Sequence, residues 1–104
     1  MIGKDKPSYH LALIKKTFSR INDLNMTFSA MTGQYDLGFS DQDVVDAIQA
    51  LSSKDFYKSM PPKHVAFSGW HDVYKSHFNG RHVYIKFQID KHGKVIISFK
   101  AVRN

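Results

Sequence analysis

Residues 81–102 read RHVYIKFQIDKHGKVIISFKAV, two runs of alternating apolar and polar side chains on either side of a turn. Alternation with a period of two is the pattern of a strand that buries one of its faces. Asp90 and Gly93 suit the first and fourth positions of a type I turn followed by a glycine bulge. The stretch therefore predicts a β-hairpin with strands at 81–90 and 94–102.

The register of this hairpin follows from the need for one wholly apolar face, because a shift of one residue turns every side chain over. A three-residue loop pairs Asp90 with Lys94. A two-residue loop at His92-Gly93 would instead set Phe87 against Ser98 and Ile85 against Lys100, with polar groups on the buried side, so we expect the three-residue loop. The apolar pairs that it predicts are Ile89 with Val95, Phe87 with Ile97, and Ile85 with Phe99.

The opposite face of the same hairpin is polar. It places Tyr84 opposite Lys100, and Lys86 opposite Ser98. Lysines supply positive charge to a phosphate, and a tyrosine stacks on a base or donates to a phosphate oxygen. This face suits a phosphodiester, although periodicity alone favours a solvated face with ordinary lysines.

Upstream of the hairpin the spacing is mostly helical. Apolar residues at 11, 14, 18 and 21 predict a first helix, and Ser40 followed by Asp43 is a capping box that predicts a second helix over about 41–51. The remaining expectations are a short strand at 26–30, a brief helix at 30–37 closed by Gly38, a turn through 52–58 that Pro61 and Pro62 end, and short strands at 65–70 and 71–74.

Helices followed by strands predict an α+β fold, with the N-terminal helices packed on one face of an antiparallel sheet. The 104 residues fit a single domain, 1–104, and 42% hydrophobic with 23% charged residues is an ordinary globular composition. There is no cysteine, no signal-peptide core and no apolar run near the roughly 18 residues of a membrane span. We therefore expect a cytoplasmic protein that does not engage a membrane.

The net charge of +6 is unevenly distributed. Residues 1–57 carry six Lys/Arg against seven Asp, whereas residues 58–104 carry nine against two. The second half is the one that attracts a polyanion. Charge alone does not choose between a nucleic acid, an acidic protein and an anionic membrane surface.

His71 is the candidate for proton transfer. It alternates away from Trp70, and Asp72, next in sequence, points to the other face. RNA cleavage needs a base for the 2′-hydroxyl and an acid for the leaving 5′-oxygen, and imidazole titrates in the right range. The chain has no Glu and no tight histidine pairing of the His-x-His kind, so we expect neither a metal site nor a cofactor.

Four short runs of the sequence form a recognisable set: LSSKDFYKSM at 51–60, WHDVY at 70–74, VYIK at 83–86 and SFK at 98–100. Together they resemble the MqsR toxins of type II toxin–antitoxin modules. The order and spacing agree over most of residues 8–100. The resemblance implies a RelE-like fold, metal-independent cleavage of messenger RNA with a preference for GC-containing triplets, and a cognate antitoxin that also binds DNA.

The residues implicated in cleavage in that family are a Lys, a Gln, a Tyr and a Lys, which fall on Lys58, His71, Tyr84 and Lys100 of this sequence. The departure is at position 71, where glutamine is replaced by a side chain that exchanges a proton near neutral pH. We therefore expect His71 to be the general base or acid, with both lysines on the phosphate and Tyr84 on the scissile nucleotide. A lysine of lowered pKa as the base is the alternative. Further RNA-binding residues expected here are Tyr57, Arg81 and Lys86.

Three other functions are compatible with the sequence. One is a regulatory module whose basic sheet face binds RNA or DNA without cutting it. Another is a related toxin that acts on a topoisomerase or on the ribosome, because one fold hosts several targets. The third is an interaction protein without catalysis, for which Lys100→Ala would leave any growth arrest intact.

Overall fold

The computed structural model describes residues 3–61, 69–90 and 93–102. Three short α-helices precede a sheet of four strands, as expected for an α+β fold. The helices are α1 (Leu11–Thr17), α2 (Phe28–Leu37) and α3 (Asp41–Gln49), with short 3-10 turns at Ile21–Asp23 and Ser53–Asp55; the strands are β1 (Phe56–Met60), β2 (His71–Phe78), β3 (Arg81–Asp90) and β4 (Gly93–Ala101).

The sheet has the order β1-β2-β3-β4, and each neighbouring pair is antiparallel. One face, here called the inner face, packs on the helices, as predicted, and contributes Tyr74, Phe87 and Phe99, each at most 1% exposed. Phe18, which follows α1, stacks against Phe87 with the ring centroids 6.0 Å apart. In the described part of the chain, no helix has the length and apolarity needed to cross a membrane.

The predicted helix boundaries around Gly38 and Ser40 are confirmed. Gly38 closes α2 with φ at +72°, a left-handed conformation that glycine adopts without steric cost. Ser40 and Asp43 form the capping box of α3, since each side chain accepts a hydrogen bond from the backbone of the other.

The predictions for residues 18–30 are partly wrong. The first helix ends at Thr17, and Ile21 lies in a 3-10 turn with 43% of its surface exposed. The predicted strand at 26–30 is instead the start of α2, because the Thr27 hydroxyl accepts a hydrogen bond from the backbone N–H of Ala30 and caps the helix. Only Met26 keeps a strand-like contact, a single parallel bridge to Ile96.

The turn predicted through residue 58 is also wrong, because it stops at Asp55 and β1 follows. Five residues are too few to show a clear alternation, and β1 depends on distant partners. Its Ser59 exchanges two backbone hydrogen bonds with Lys4, at 2.8 and 2.9 Å. The next strand, β2, begins at His71 as predicted and runs four residues beyond the predicted end, whereas most of the strand predicted at 65–70 lies outside the described residues.

The predicted hairpin of β3 and β4 is confirmed at its open end and wrong near its turn. Ile85 pairs with Phe99, Tyr84 with Lys100 and Lys86 with Ser98, but Phe87 pairs with Ile96, Ile89 with Lys94 and Asp90 with Gly93. A bulge at Ile97 absorbs the difference of one residue. The two loops considered from the sequence did not include this combination, in which Asp90 pairs with Gly93 and a bulge restores the register, so that Phe87 still lies opposite an apolar residue.

The bulge has a structural cause outside the hairpin. The backbone N–H of Ile96 donates to the Asn25 carbonyl at 2.8 Å, and its carbonyl accepts from Thr27 N–H at 3.0 Å. The Thr27 hydroxyl also donates to the Ile97 carbonyl at 3.0 Å. The segment before α2 therefore pairs with the edge of β4 at the bulge.

Candidate active site

The face of the sheet that points away from the helices, here called the outer face, carries a cluster of basic and aromatic side chains. Two rows run across the strands. In one, Lys58 lies opposite Val73, which lies opposite Lys86; in the other, Lys75 lies opposite Tyr84, which lies opposite Lys100. His71 occupies the next outward position of β2, opposite Met60. At the outward strand positions whose side chains are described, no residue carries a carboxylate.

Three of the four predicted cleavage residues line one depression. Lys58, His71 and Tyr84 surround a cavity of about 210 Å³ together with Lys86. The fourth, Lys100, lines an adjacent cavity of about 400 Å³, to which Tyr84 and Lys86 also contribute. Tyr84 and Lys86 thus form the wall between two neighbouring depressions, and the four predicted residues lie around them on one surface.

Three lysines surround the ring of Tyr84. The Nζ atoms of three lysines lie within 6 Å of its ring centroid, at 5.5 Å for Lys86 and 5.7 Å for both Lys75 and Lys100. An ammonium group at such a distance is attracted to the ring face. The ring therefore offsets part of the repulsion among three neighbouring cations, which together suit a phosphate.

The Tyr84 phenol remains protonated at neutral pH. Burial raises its pKa above the ordinary value of 10.0, and the neighbouring Tyr57 phenol adds a smaller effect in the same direction. Tyr84 is thus a hydrogen-bond donor to a phosphate oxygen and a stacking surface, and it is not a general base at neutral pH.

The inner face determines where His71 lies. Asp72, the next residue, is 1% exposed, and its two carboxylate oxygens accept hydrogen bonds from the backbone N–H groups of Ser8 and Tyr9 at 2.9 and 2.8 Å. Its orientation away from His71 is as predicted. Because a strand alternates its side chains, burial of Asp72 holds His71 on the outer face.

Lys100 is positioned by the contact between α2 and β4. Gly33 lies so close to β4 that a Cβ atom there would fall 1.7 Å from the Phe99 carbonyl oxygen. Only glycine allows this approach, which leaves Phe99 fully buried and Lys100 exposed on the opposite face.

Sequence reasoning missed Lys75. Its Nζ lies 3.7 Å from the ring centroid of Tyr57 and 5.7 Å from that of Tyr84, so it joins the two aromatic rings of the outer face. The signal was present in the alternation that begins at His71, which reaches Lys75 two steps later. It was overlooked because the strand was expected to end at residue 74.

The three predicted RNA-binding residues differ in their placement. Lys86 lines both cavities, and Tyr57, 48% exposed at the bulge of β1, stands beside Lys58 and Lys75. Arg81 is not brought to this surface. It pairs with Phe78, which packs against the core, so its strand position faces the helix side.

The arrangement defines a class of protein. A small α+β domain presents a rigid sheet face with four lysines, two tyrosines and a histidine, which suits the phosphates and bases of a nucleic acid strand.

Comparison with known proteins narrows the class. Residues 6–101 match the family described as "Motility quorum-sensing regulator, toxin of MqsA", and the chain belongs to that family. It is 32% identical, over 97 residues, to the mRNA interferase toxin MqsR of Escherichia coli (strain K12), an alignment that covers 93% of this chain and 96% of the relative.

Proposed function

We propose that this protein is the toxin of a toxin–antitoxin pair and acts as an mRNA interferase, an endoribonuclease that cuts messenger RNA and so arrests growth. Its family and the name of its Escherichia coli relative support this function. The observation that carries the proposal is the meeting of Lys58, His71 and Tyr84 around one cavity, with Lys100 across from Tyr84. The proposed fold is RelE-like, and the proposed site of action is the cytoplasm. Besides messenger RNA, the proposed partner is a DNA-binding antitoxin.

The reaction needs only side chains. A base removes the proton of the 2′-hydroxyl, the resulting oxygen attacks the adjacent phosphorus, and the bond to the 5′-oxygen breaks as an acid protonates that oxygen. The products are a 2′,3′-cyclic phosphate and a 5′-hydroxyl. His71 exchanges one of these protons, because imidazole is the usual acid–base group of proteins near neutral pH.

The other three residues stabilise charge and position the substrate. Lys58 and Lys100 offset the negative charge that builds on the phosphate oxygens, which is where fixed cations contribute most. Tyr84 stacks on the nucleotide or donates to a phosphate oxygen, and Lys86 and Tyr57 bind the flanking strand. The proposed cleavage involves no metal ion.

Incubation of the purified protein with end-labelled RNA tests the activity. We expect cleavage in the presence of EDTA and 2′,3′-cyclic phosphate ends on the 5′ fragments. RNA that is bound and left intact would instead identify a binding module, and cleavage abolished by EDTA would contradict the side-chain mechanism.

His71→Gln tests the role of the imidazole, because glutamine positions a substrate but does not transfer a proton. We expect kcat to fall about 100-fold and the limb of the pH–rate profile near neutrality to disappear. His10→Gln, an exposed histidine outside the sheet, is the matched control. An unchanged rate and pH profile would reduce His71 to a positioning residue.

A further inference from the structure

A pair of histidines lies on the outer face, outside the proposed catalytic residues. His77 of β2 and His82 of β3 pair directly across the hairpin, and their Nε2 atoms are 2.9 Å apart. Their ring centroids are separated by 3.8 Å, and both side chains are exposed. None of the proposed steps of RNA cleavage uses either ring.

The hairpin turn fixes these two rings side by side. Asn79 and Gly80 both have positive φ, at 51° and 73°, which is the conformation of a type I′ turn and gives a two-residue hairpin loop. Phe78 and Arg81 close that loop, so His77 and His82 form the next pair outward.

His77 and His82 form a non-hydrogen-bonded pair of the antiparallel ladder, in which the two residues exchange no backbone hydrogen bond. The carbonyl of His82 accepts from Val102 N–H at 2.9 Å, and thus points toward β4 and away from β2. In antiparallel sheets such pairs have the shorter Cα separation and the closer side chains. The backbone therefore holds the two imidazoles together before any ligand arrives.

We propose that His77 and His82 form a binding site for a divalent transition-metal ion, separate from the proposed catalytic residues. Imidazole nitrogen is a good ligand for copper, nickel and zinc ions. Both rings then carry their proton on Nδ1 and present the Nε2 lone pairs to the ion. Water completes the coordination, because the described residues group no third metal-binding side chain with the pair.

The two rings are within hydrogen-bond distance of each other, and a bound ion would replace that contact by two metal–nitrogen bonds of about 2.0 to 2.1 Å. For a site of given nitrogen ligands, the affinity of divalent ions rises from nickel to copper and falls again at zinc. We therefore expect Cu²⁺ to bind most tightly.

Positive charge lies on one side of the pair. Lys75, the preceding outward residue of β2, has its Nζ 3.7 Å from the ring centroid of Tyr57 and 5.7 Å from that of Tyr84, the next outward residue of β3 after His82. Lys100 lies opposite Tyr84, and its Nζ is also 5.7 Å from that centroid. A bound ion is therefore held against this charge by chelation between the two imidazoles.

Titration of the untagged full chain with NiCl2, followed by calorimetry, tests the proposal. We expect one equivalent of Ni²⁺ to bind at micromolar concentrations, and His77→Gln or His82→Gln each to weaken binding at least tenfold, because a single imidazole has no chelating partner. His10→Gln and His71→Gln are controls that should bind within twofold of the wild type. Equal affinity in the pair variants and the wild type, or no binding up to 100 μM, would overturn it.

Electron paramagnetic resonance of bound Cu²⁺ tests the metal ligands directly and does not depend on RNA cleavage. Cu²⁺ bound to the wild type should show the electron paramagnetic resonance splitting of two imidazole nitrogens, reduced to one in either single variant. Circular dichroism should be the same for all variants, because both histidines are exposed. A signal with two nitrogens that survives when His77→Gln and His82→Gln are combined in one chain would assign the metal to other residues.

Discussion

The inner and outer faces of the sheet are built from the same strands and have opposite chemistry. The inner face carries side chains that are at most 1% exposed, namely Tyr74, Phe87 and Phe99. The outer face exposes lysines around Tyr84. The inner face supplies the burial that stabilises the fold, so the outer face is free to hold like charges close together. Stability and activity should therefore respond to different faces, and four predictions test this division.

The largest effect is expected from Phe87→Ala on the inner face. Phe87 is fully buried between Phe18 and Tyr74, with ring centroids 6.0 and 5.9 Å away, so its removal leaves a cavity. We expect the free energy of unfolding to fall by about 3 to 5 kcal/mol in a urea titration. Tyr57→Ala, a truncation on the outer face, should cost less than about 1 kcal/mol. Similar losses from the two variants would erase the distinction between the faces.

Lys100→Ala on the outer face should lower activity and leave stability unchanged. We expect kcat for RNA cleavage to fall by a factor of about 100 to 1,000, as is typical when one charge-stabilising donor is removed, with the free energy of unfolding unchanged within about 0.5 kcal/mol. Lys94→Ala, on the same strand opposite Ile89, is the control for loss of charge alone and should retain activity. An equal loss of activity in both variants would point to overall charge in place of a specific contact.

Tyr74 provides a comparison in alkaline solution. Burial raises its pKa to about 12, with a smaller contribution from the negative charge of Asp72. A raised pKa means that the neutral phenol is favoured in the folded state, so its contribution is complete below about pH 10 and is lost as the pH rises toward 12. Between pH 9 and pH 11.5, Tyr74→Phe should lose about 2 kcal/mol less stability than the wild type. Parallel losses in the two proteins would contradict it.

The smallest effect is expected from Lys75→Ala. Lys75 is placed to contact a phosphate of the bound strand, and each such contact contributes a slope of about 0.7 to the dependence of the logarithm of affinity on the logarithm of salt concentration. We expect the affinity for RNA to fall a few-fold and the slope to decrease by about that amount. Lys16→Ala, on the exposed side of α1, should leave both unchanged. A reduced slope in Lys16→Ala would mean that RNA contacts the helices as well.

The outer face could be predicted from sequence where alternation is long. The pairs of Tyr84 with Lys100 and Lys86 with Ser98 follow from apolar side chains that have to share the inner face, and the structure has both. The position of Asp72 behind His71 follows from the same rule. The meeting of Lys58 with His71 came only from the resemblance, because no local pattern links residue 58 to residue 71.

The failures lie where distant partners override local pattern. Thr27 starts a helix in a stretch that alternates like a strand, and the segment before it induces the bulge at Ile97. The strand β1 exists because β2 and Lys4 pair with it. In each case the deciding hydrogen bond joins residues that are far apart in the chain or depends on a single hydroxyl, which hydrophobic periodicity does not detect.

The carboxylate of Asp72 has a consequence for the dynamics of the site. Its two donors belong to Ser8 and Tyr9, more than 60 residues away, and Asp72 is 1% exposed. Detachment of that segment would leave a buried charge without donors, so it should occur together with opening of β2 at His71. Slow hydrogen exchange at the amides of Ser8 and Tyr9 would thus report how often the strand that carries the histidine opens.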